Sequence, residues 1–307
     1  MVRAISRRMI QACCKIVFLK RALRWCIRRQ LHSARLPGYR RSILTRMSSA
    51  VPIDDIKKFT EYCMGKKIVC ATKPSEHWVV AKFYWEGCAS IDAESLAVFC
   101  KRVCSSDVIL DIGANWGYYT LLAGAIAPHA KIIAFEPHPF WFEQLKRNVI
   151  INNFKNVRVE RLAVGEMAGS APFYIDNQHP STSSMVKEFT RDEHTTKIIT
   201  EVVCIDSFVK QNKIDKISLI KIDVEAYESA VLSGGKSVLQ THRPDIICEV
   251  LPDEGMGYRE ANRKAIQTIV TELGYQAYWM SNTGLVREEI IQGHYPLANY
   301  LLTTCEE

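Results

Sequence analysis

Two rhythms of apolar residues alternate along most of this chain. Short runs rich in Ile, Leu and Val, such as Val108–Ile112, Ile132–Pro137, Val157–Leu162, Ser218–Asp223 and Asp245–Val250, read as strands covered on both faces. Between them lie segments with helical spacing, Thr120–Ala127, Pro139–Asn153, Glu225–Leu239 and Arg259–Gly274. Such alternation predicts a mainly parallel sheet with helices on both faces. Tyr275–Met280 and Asn299–Thr304 read as two last strands with no helical pattern between them, hence an antiparallel hairpin at the edge of a seven-stranded sheet. Ala171–Ile175 and Thr200–Ile205 read as strands around a long polar loop, Asp176–Lys197, which carries His179, His194 and the run Ser181–Ser184. A loop of that length suits a lid on the substrate side.

Ahead of the first buried run, 51–107 reads as a lead-in module. It comprises a short helix over Asp54–Cys63, strands over Lys67–Ala71 and His77–Trp85, and a helix over Asp92–Cys104. Residues 1–50 form a leader. Ile5, Met9, Ala12, Ile16, Leu19, Leu23 and Ile27 fall at steps of three and four, one helical stripe set among Arg and Lys. The domain plan is therefore 1–50, 51–107 and 108–307.

Charge sharpens this division. Of 40 Lys and Arg, 13 fall in residues 1–46, which hold no Asp or Glu, so the remaining body is net negative. That argues against nucleic acid as a partner of the body. The basic leader fits three readings: contact with an anionic membrane surface, an organellar presequence, or an overextended start ahead of Met47. Eleven cysteines are scattered without zinc-ligand spacing and read as free thiols of a reducing compartment. The expectation is a cytoplasmic protein, with membrane association through the leader or organellar targeting as the open alternatives.

The chemistry gathers at the ends of the buried runs. The stretch Leu110–Thr120, LDIGANWGYYT, holds an acid, Asp111, and then Gly113, Asn115 and Gly117 in a turn from strand to helix. Glu136 ends the second run, 23 residues after Gly113, near the spacing at which a carboxylate reaches ribose hydroxyls in mononucleotide-binding folds. One acid for a ribose and one for a cationic amino-acid moiety together fit S-adenosylmethionine. NAD is the alternative, disfavoured because G-x-G-x-x-G is absent.

With LDIGANWGYYT, AFEPHP (Ala134–Pro139), NNFKNVRVERLAVG (Asn152–Gly165), SLIKIDVEAYESAVLSGG (Ser218–Gly235) and RPDIICEV (Arg243–Val250) in this order, the chain resembles the FkbM-type methyltransferases. The resemblance covers about two thirds of the chain. It implies an α/β, Rossmann-like class I fold, with the cofactor held by Asp111, Gly113, Asn115, Gly117, Tyr118, Glu136, Pro137 and Ala163. It also implies hydroxyl acceptors, on a small molecule such as a secondary metabolite or on a glycan or glycolipid. The family usually has Gly where this chain has Ala226. Asp223 and Glu249 end neighbouring strands, and Glu225 opens the following helix. A hydroxyl nucleophile must lose its proton, and Asp223 is the expected base, with Glu225 or Glu249 orienting the acceptor. No resident metal is expected, although two carboxylates and water suffice for Mg²⁺. A non-catalytic, membrane-attached scaffold of the same fold is the alternative to an enzyme.

Overall fold

The computed structural model describes residues 17–33, 38–75, 77–190, 195–295 and 298–307. The described residues divide into two compact units, one ending at Ala93 and one running from Glu94 to Glu307.

The first unit contains α1 (Val17–Leu31), α2 (Gly38–Ser48), the hairpin β1 (Phe59–Cys63) and β2 (Lys66–Cys70), and α3 (Trp78–Glu86). The helix expected over Asp54–Cys63 is instead the first arm of the hairpin. Met64 and Gly65 both take positive φ, 49° and 73°, and such a two-residue turn matches the twist of the flanking strands. The strand expected over His77–Trp85 is the helix α3. His77 caps it, its Nδ1 accepting from Val79 N at 3.2 Å, and Val80, Phe83 and Tyr84 turn inward one helical turn apart. Aromatic and branched residues on both faces had hidden that period. Cys63 and Cys88, 25 residues apart and both buried, form a disulfide with Cα atoms 5.8 Å apart, which corrects the reading of all the cysteines as free thiols. Cys70, Cys100 and Cys248 remain free and buried.

Helix α1 also departs from expectation. Ile27 and Leu31 are buried, but so is Arg24. Arg24 donates to Asp55 and to the Pro52 carbonyl, Lys20 Nζ lies 2.8 Å from Asp55 Oδ1, and Arg28 pairs with Glu61. Part of the leader's basic charge therefore serves the unit's own interior. The stripe positions Ile5, Met9, Ala12 and Ile16 lie outside the described residues.

The second unit is built on an eight-stranded sheet of order β12-β11-β13-β10-β9-β3-β4-β5. Its strands are β3 (Val108–Ile112), β4 (Lys131–Phe135), β5 (Val157–Glu160), β9 (Leu219–Ile222), β10 (Asp245–Glu249), β11 (Gln276–Ser281), β12 (Gly284–Glu288) and β13 (Asn299–Thr303). From β5 to β10 every neighbour is parallel, and β13 enters antiparallel between β10 and β11. The mostly parallel sheet is as expected, but it has eight strands. The extra one, β12, pairs only with β11 along the edge, and its half-polar GLVRE lacks an apolar run. Ile132, Ile133, Leu219, Ile220, Ile222 and Ile247 are completely buried, as strands covered on both faces require.

The helices of this unit are α4 (Ala93–Cys104), α5 (Tyr118–Ile126), α6 (Pro139–Ile151), α7 (Ile205–Gln211), α8 (Glu228–Ser233), α9 (Lys236–His242) and α10 (Gly257–Glu272). The single helix expected over Glu225–Leu239 is two, broken at Gly234–Gly235. There a Cβ on Gly234 would lie 2.1 Å from the Gly165 carbonyl oxygen. A separate sheet, β6 (Ala163–Val164), β8 (Thr195–Val203) and β7 (Gly169–Asp176), is inserted between β5 and α7. Its longer strands shorten the expected polar loop. Among the described residues no helix is long and apolar enough to cross a membrane.

Candidate functional site

Strand β3 lies at the middle of the parallel run, and the chain leaves it on one side toward β4 and returns on the other at β9. Strand order reverses here, and the crevice beyond the carboxyl ends is where such sheets bind ligands. Asp111, near the end of β3, is buried and accepts from Thr120 Oγ1 on α5. Burial pushes its carboxyl up to about 6, against the pull of the Thr120 hydrogen bond and of Lys221.

The turn after Ile112 runs through three left-handed residues: Gly113 at φ 81°, Asn115 at 52° and Gly117 at 103°. A Cβ on Gly113 would sit 1.8 Å from the Asp223 carbonyl oxygen, so the backbone at the end of β9 closes on this turn. Asn115 tolerates its φ because Oδ1 accepts from Trp116 N at 2.8 Å. The turn is tied to β4 by Asn115 N, which donates to Glu136 Oε2 at 2.7 Å, while His138 N donates to Oε1 at 2.8 Å. Glu136 is buried, and burial raises its carboxyl to about 7 despite both hydrogen bonds. Each oxygen keeps a second lone pair, enough for two hydroxyl donors. The structure thus joins Asp111, Gly113, Asn115, Gly117 and Glu136 in one pre-formed cradle. Tyr118 is buried against Trp116 and Tyr119, Pro137 is half-buried beside Glu136, and Ala163 is buried in β6, outside the main sheet.

The second group of acids converges more tightly. Ligand oxygens of Asp223, Glu225 and Glu249 all lie within 4.8 Å of one another. Burial raises Glu225 and Glu249 well above the usual carboxylate range, and the neighbouring carboxylates raise them further. Glu249 Oε2 is buried without a hydrogen-bond partner. Lys221, completely buried, points its Nζ to within 3.1 Å of Asp223 Oδ2 and sits 5.1 Å from the centre of the Tyr119 ring. This arrangement can take hydroxyl donors or a hard cation, since both seek oxygen acceptors.

Residues not singled out from the sequence hold this second turn. Glu225 and Ala226 take φ of 59° and 72°, so Ala226 adopts the backbone for which glycine is the usual choice. Glu228 Oε1 accepts from Val224 N and Ala226 N, and its Oε2 accepts from Asn262 Nδ2 at 2.7 Å. Ser184, from the run on the polar loop, donates through Oγ to the Glu225 carbonyl at 2.6 Å. Of the two loop histidines, His179 donates its backbone N–H to Asp176, and His194 lies outside the described residues. Only Ser184 had a visible sequence signal, its place in the Ser and Thr run.

A switch-point crevice with the buried Glu136 on one side and a cluster of carboxylates on the other is a ligand site of an open α/β sheet. Residues 111–277 match the FkbM methyltransferase domain, more than half of the chain, and the protein belongs to that family. It is similar to methyltransferase sdnD of Sordaria araneosa, with 28% identity over 157 residues, 42% of this chain and 61% of that protein. It is also similar to the 31-O-demethyl-FK506 methyltransferase FkbM of Streptomyces tacrolimicus, with 29% identity over 176 residues, 48% of this chain and 67% of that one. The chain spans 61% of the length of methyltransferase sdnD and 57% of that of methyltransferase 1 of Beauveria bassiana, to which it is 26% identical. The crystal structure of an FkbM methyltransferase from Methylobacillus flagellatus aligns at 17% identity and a TM-score of 0.42, covering 64% of this chain and 43% of that one.

Proposed function

We propose that this protein is an S-adenosylmethionine-dependent O-methyltransferase. The observation that carries the reading is the pair of buried acids at adjacent parallel strand ends, Asp111 and Glu136, with the glycine turn hydrogen-bonded to Glu136. The residues fit the cofactor. Glu136 has lone pairs free for ribose hydroxyls, Asp111 offers a carboxylate to the cationic amino-acid part, and the glycines leave room for close approach. When bound, the cofactor supplies an electrophilic methyl on a sulfonium. The protein's task is alignment and removal of the acceptor's proton.

Asp223 is the acceptor of that proton, through the oxygen not engaged by Lys221. Glu225 and Glu249, whose proton affinity is raised by burial, orient the hydroxyl by hydrogen bonds. A set of carboxylates disfavours anionic acceptors and suits neutral polyols, so a sugar or hydroxylated small molecule is the expected substrate class. One relative is named as a 2-O-methyltransferase and another as a 31-O-demethyl-FK506 methyltransferase, which supports an oxygen acceptor.

Calorimetric titration with S-adenosylhomocysteine, S-adenosylmethionine and NAD tests the reading. The sulfur ligands should bind and NAD should not. Asp111→Asn should weaken the S-adenosylmethionine affinity about tenfold or more, the typical loss of a charged partner. Asp223→Asn should leave it unchanged. Binding of NAD alone, or equal affinity in Asp111→Asn, overturns the assignment.

A further inference from the structure

The five cations of α1 divide by face. Lys20, Arg24 and Arg28 turn inward to Asp55 and Glu61. Arg21 and Arg29 are exposed, and neither has a carboxylate partner among the described residues. Trp25 stands between them at 60% exposure, one helical turn from each, and the Arg29 guanidinium lies 5.1 Å from the centre of the Trp25 ring. Leu19, at 42% exposure, and Ala22 and Cys26 complete the same outward face. No acid occurs anywhere in residues 1–53.

The face presents a surface tryptophan flanked by two arginines. It matches the boundary of an anionic bilayer, where the indole sits at headgroup depth and the guanidinium groups meet lipid phosphates. Arginine stacked on the ring reaches the phosphate without withdrawing the indole. We infer that the outward face of α1, centred on Arg21, Trp25 and Arg29, docks the protein on an anionic lipid surface. Charge complementarity selects this occupant: the face is cationic and apolar at once, whereas the inward cations are held by Asp55 and Glu61. The inference is independent of the proposed catalytic function.

The experiment is co-sedimentation of the full chain with phosphatidylcholine vesicles, with and without one quarter phosphatidylserine. The wild type should pellet with the anionic vesicles only, and high salt should release it. Arg21→Glu with Arg29→Glu should lower partitioning about twentyfold or more, given roughly fivefold per surface cation. Trp25→Ala should lower it by a smaller factor, and by the same factor at low and at intermediate salt, where the wild type still binds. The charge-matched control Lys155→Glu with Arg287→Glu changes exposed residues of the other unit and should bind like wild type.

Several outcomes overturn the inference. Equal binding to neutral vesicles removes the electrostatic basis. Equal loss in the control reduces it to net charge, and unchanged binding in the α1 variants assigns it to residues 1–16 or elsewhere. No vesicle binding, with either a dimer or poly(U) binding abolished by the α1 variants, assigns the face to a second copy of this chain or to single-stranded nucleic acid. Because Arg21, Trp25 and Arg29 are exposed, their substitution should leave the circular dichroism and Tm unchanged; an unfolded variant would show that the face is structural and likewise overturn the inference.

Discussion

Two strand-to-helix turns face the same crevice, and they are built by opposite means. The turn after β3 reaches its left-handed backbone with Gly113, Asn115 and Gly117, and its acids Asp111 and Glu136 are fixed in place by hydrogen bonds from Thr120, Asn115 and His138. The turn after β9 reaches the same region of φ with Glu225 and Ala226, and is held in place by the buried carboxylate of Glu228. The acids beside it are not engaged in the same way: Glu249, at the end of the neighbouring β10, has no partner for Oε2. The first turn is a finished receptor, with its acids oriented before any ligand arrives. The second keeps unsatisfied acceptors in a low-dielectric place, where a hydroxyl proton has most to gain.

The largest test of this contrast is to break the contact between the turns. Gly113→Ala places a Cβ 1.8 Å from the Asp223 carbonyl oxygen, at a φ of 81° that already disfavours a side chain. Neither backbone can yield without moving both turns. A loss of about 4 kcal/mol is expected, in the range of overpacking and backbone strain combined. Urea unfolding measures it, and a loss below about 1 kcal/mol would mean that the two turns move apart freely.

The next test uses pH. Burial raises Asp111 to about 6, and Glu136 and Glu228 to about 7. Their unfolded values lie near 4, so between about pH 4.5 and 7 the folded state binds more protons than the unfolded chain. Stability is therefore fully present below the unfolded values and is lost as pH rises to about 7. Glu228 alone accounts for about 3 kcal/mol over that window, taking 1.4 kcal/mol per unit. The urea midpoint of the wild type should fall between pH 5 and pH 7.5. Asp253, whose carboxyl Arg263 holds below the usual range, acts only at lower pH, whereas His77 and His138, held at about 4 by burial, gain stability up to about pH 6.5 and offset part of the fall. Glu228→Gln should flatten the slope, since the histidine contribution is common to both proteins, and a slope unchanged in the variant would show that the Glu228 carboxylate is solvated.

The same contrast explains what could be read beforehand. The runs VILDIG, IIAFEP, SLIKID and DIICEV announce buried parallel strands ending in acids, because burial on both faces leaves no polar position until the strand ends. Glycine at 113 and 117 marks a left-handed turn in any sequence. Glu228 gave no such signal. It stands where any acid would favour a helix start, and only the fold turns its carboxylate back onto Val224 and Ala226. Lys221 looks like a polar interruption of a strand, yet it is buried and ion-paired to Asp223. In the first unit the partners of Arg24 and Arg28 lie about thirty residues downstream, beyond the reach of any local pattern. Periodicity failed for α3 for the same reason it succeeded for β3: apolar residues on every side announce burial, not the period.

The smallest effect separates the two ways of building a turn. Ala226 sits at φ 72° and is buried. A non-glycine residue in that region costs about 1–2 kcal/mol, whereas removing its methyl forfeits about 0.8 kcal/mol of burial. The balance favours Ala226→Gly by about 0.5 kcal/mol, a rise in stability visible as a small shift of the urea midpoint. The sign is the decisive quantity. A gain means that strain persists in the turn and that Glu228 holds it against relaxation, in which case Ala226→Gly should also reduce the cost of Glu228→Gln. A loss means that the methyl is seated well enough to outweigh the strain, so the second turn would be as settled as the first and its unsatisfied carboxylates would owe nothing to backbone tension.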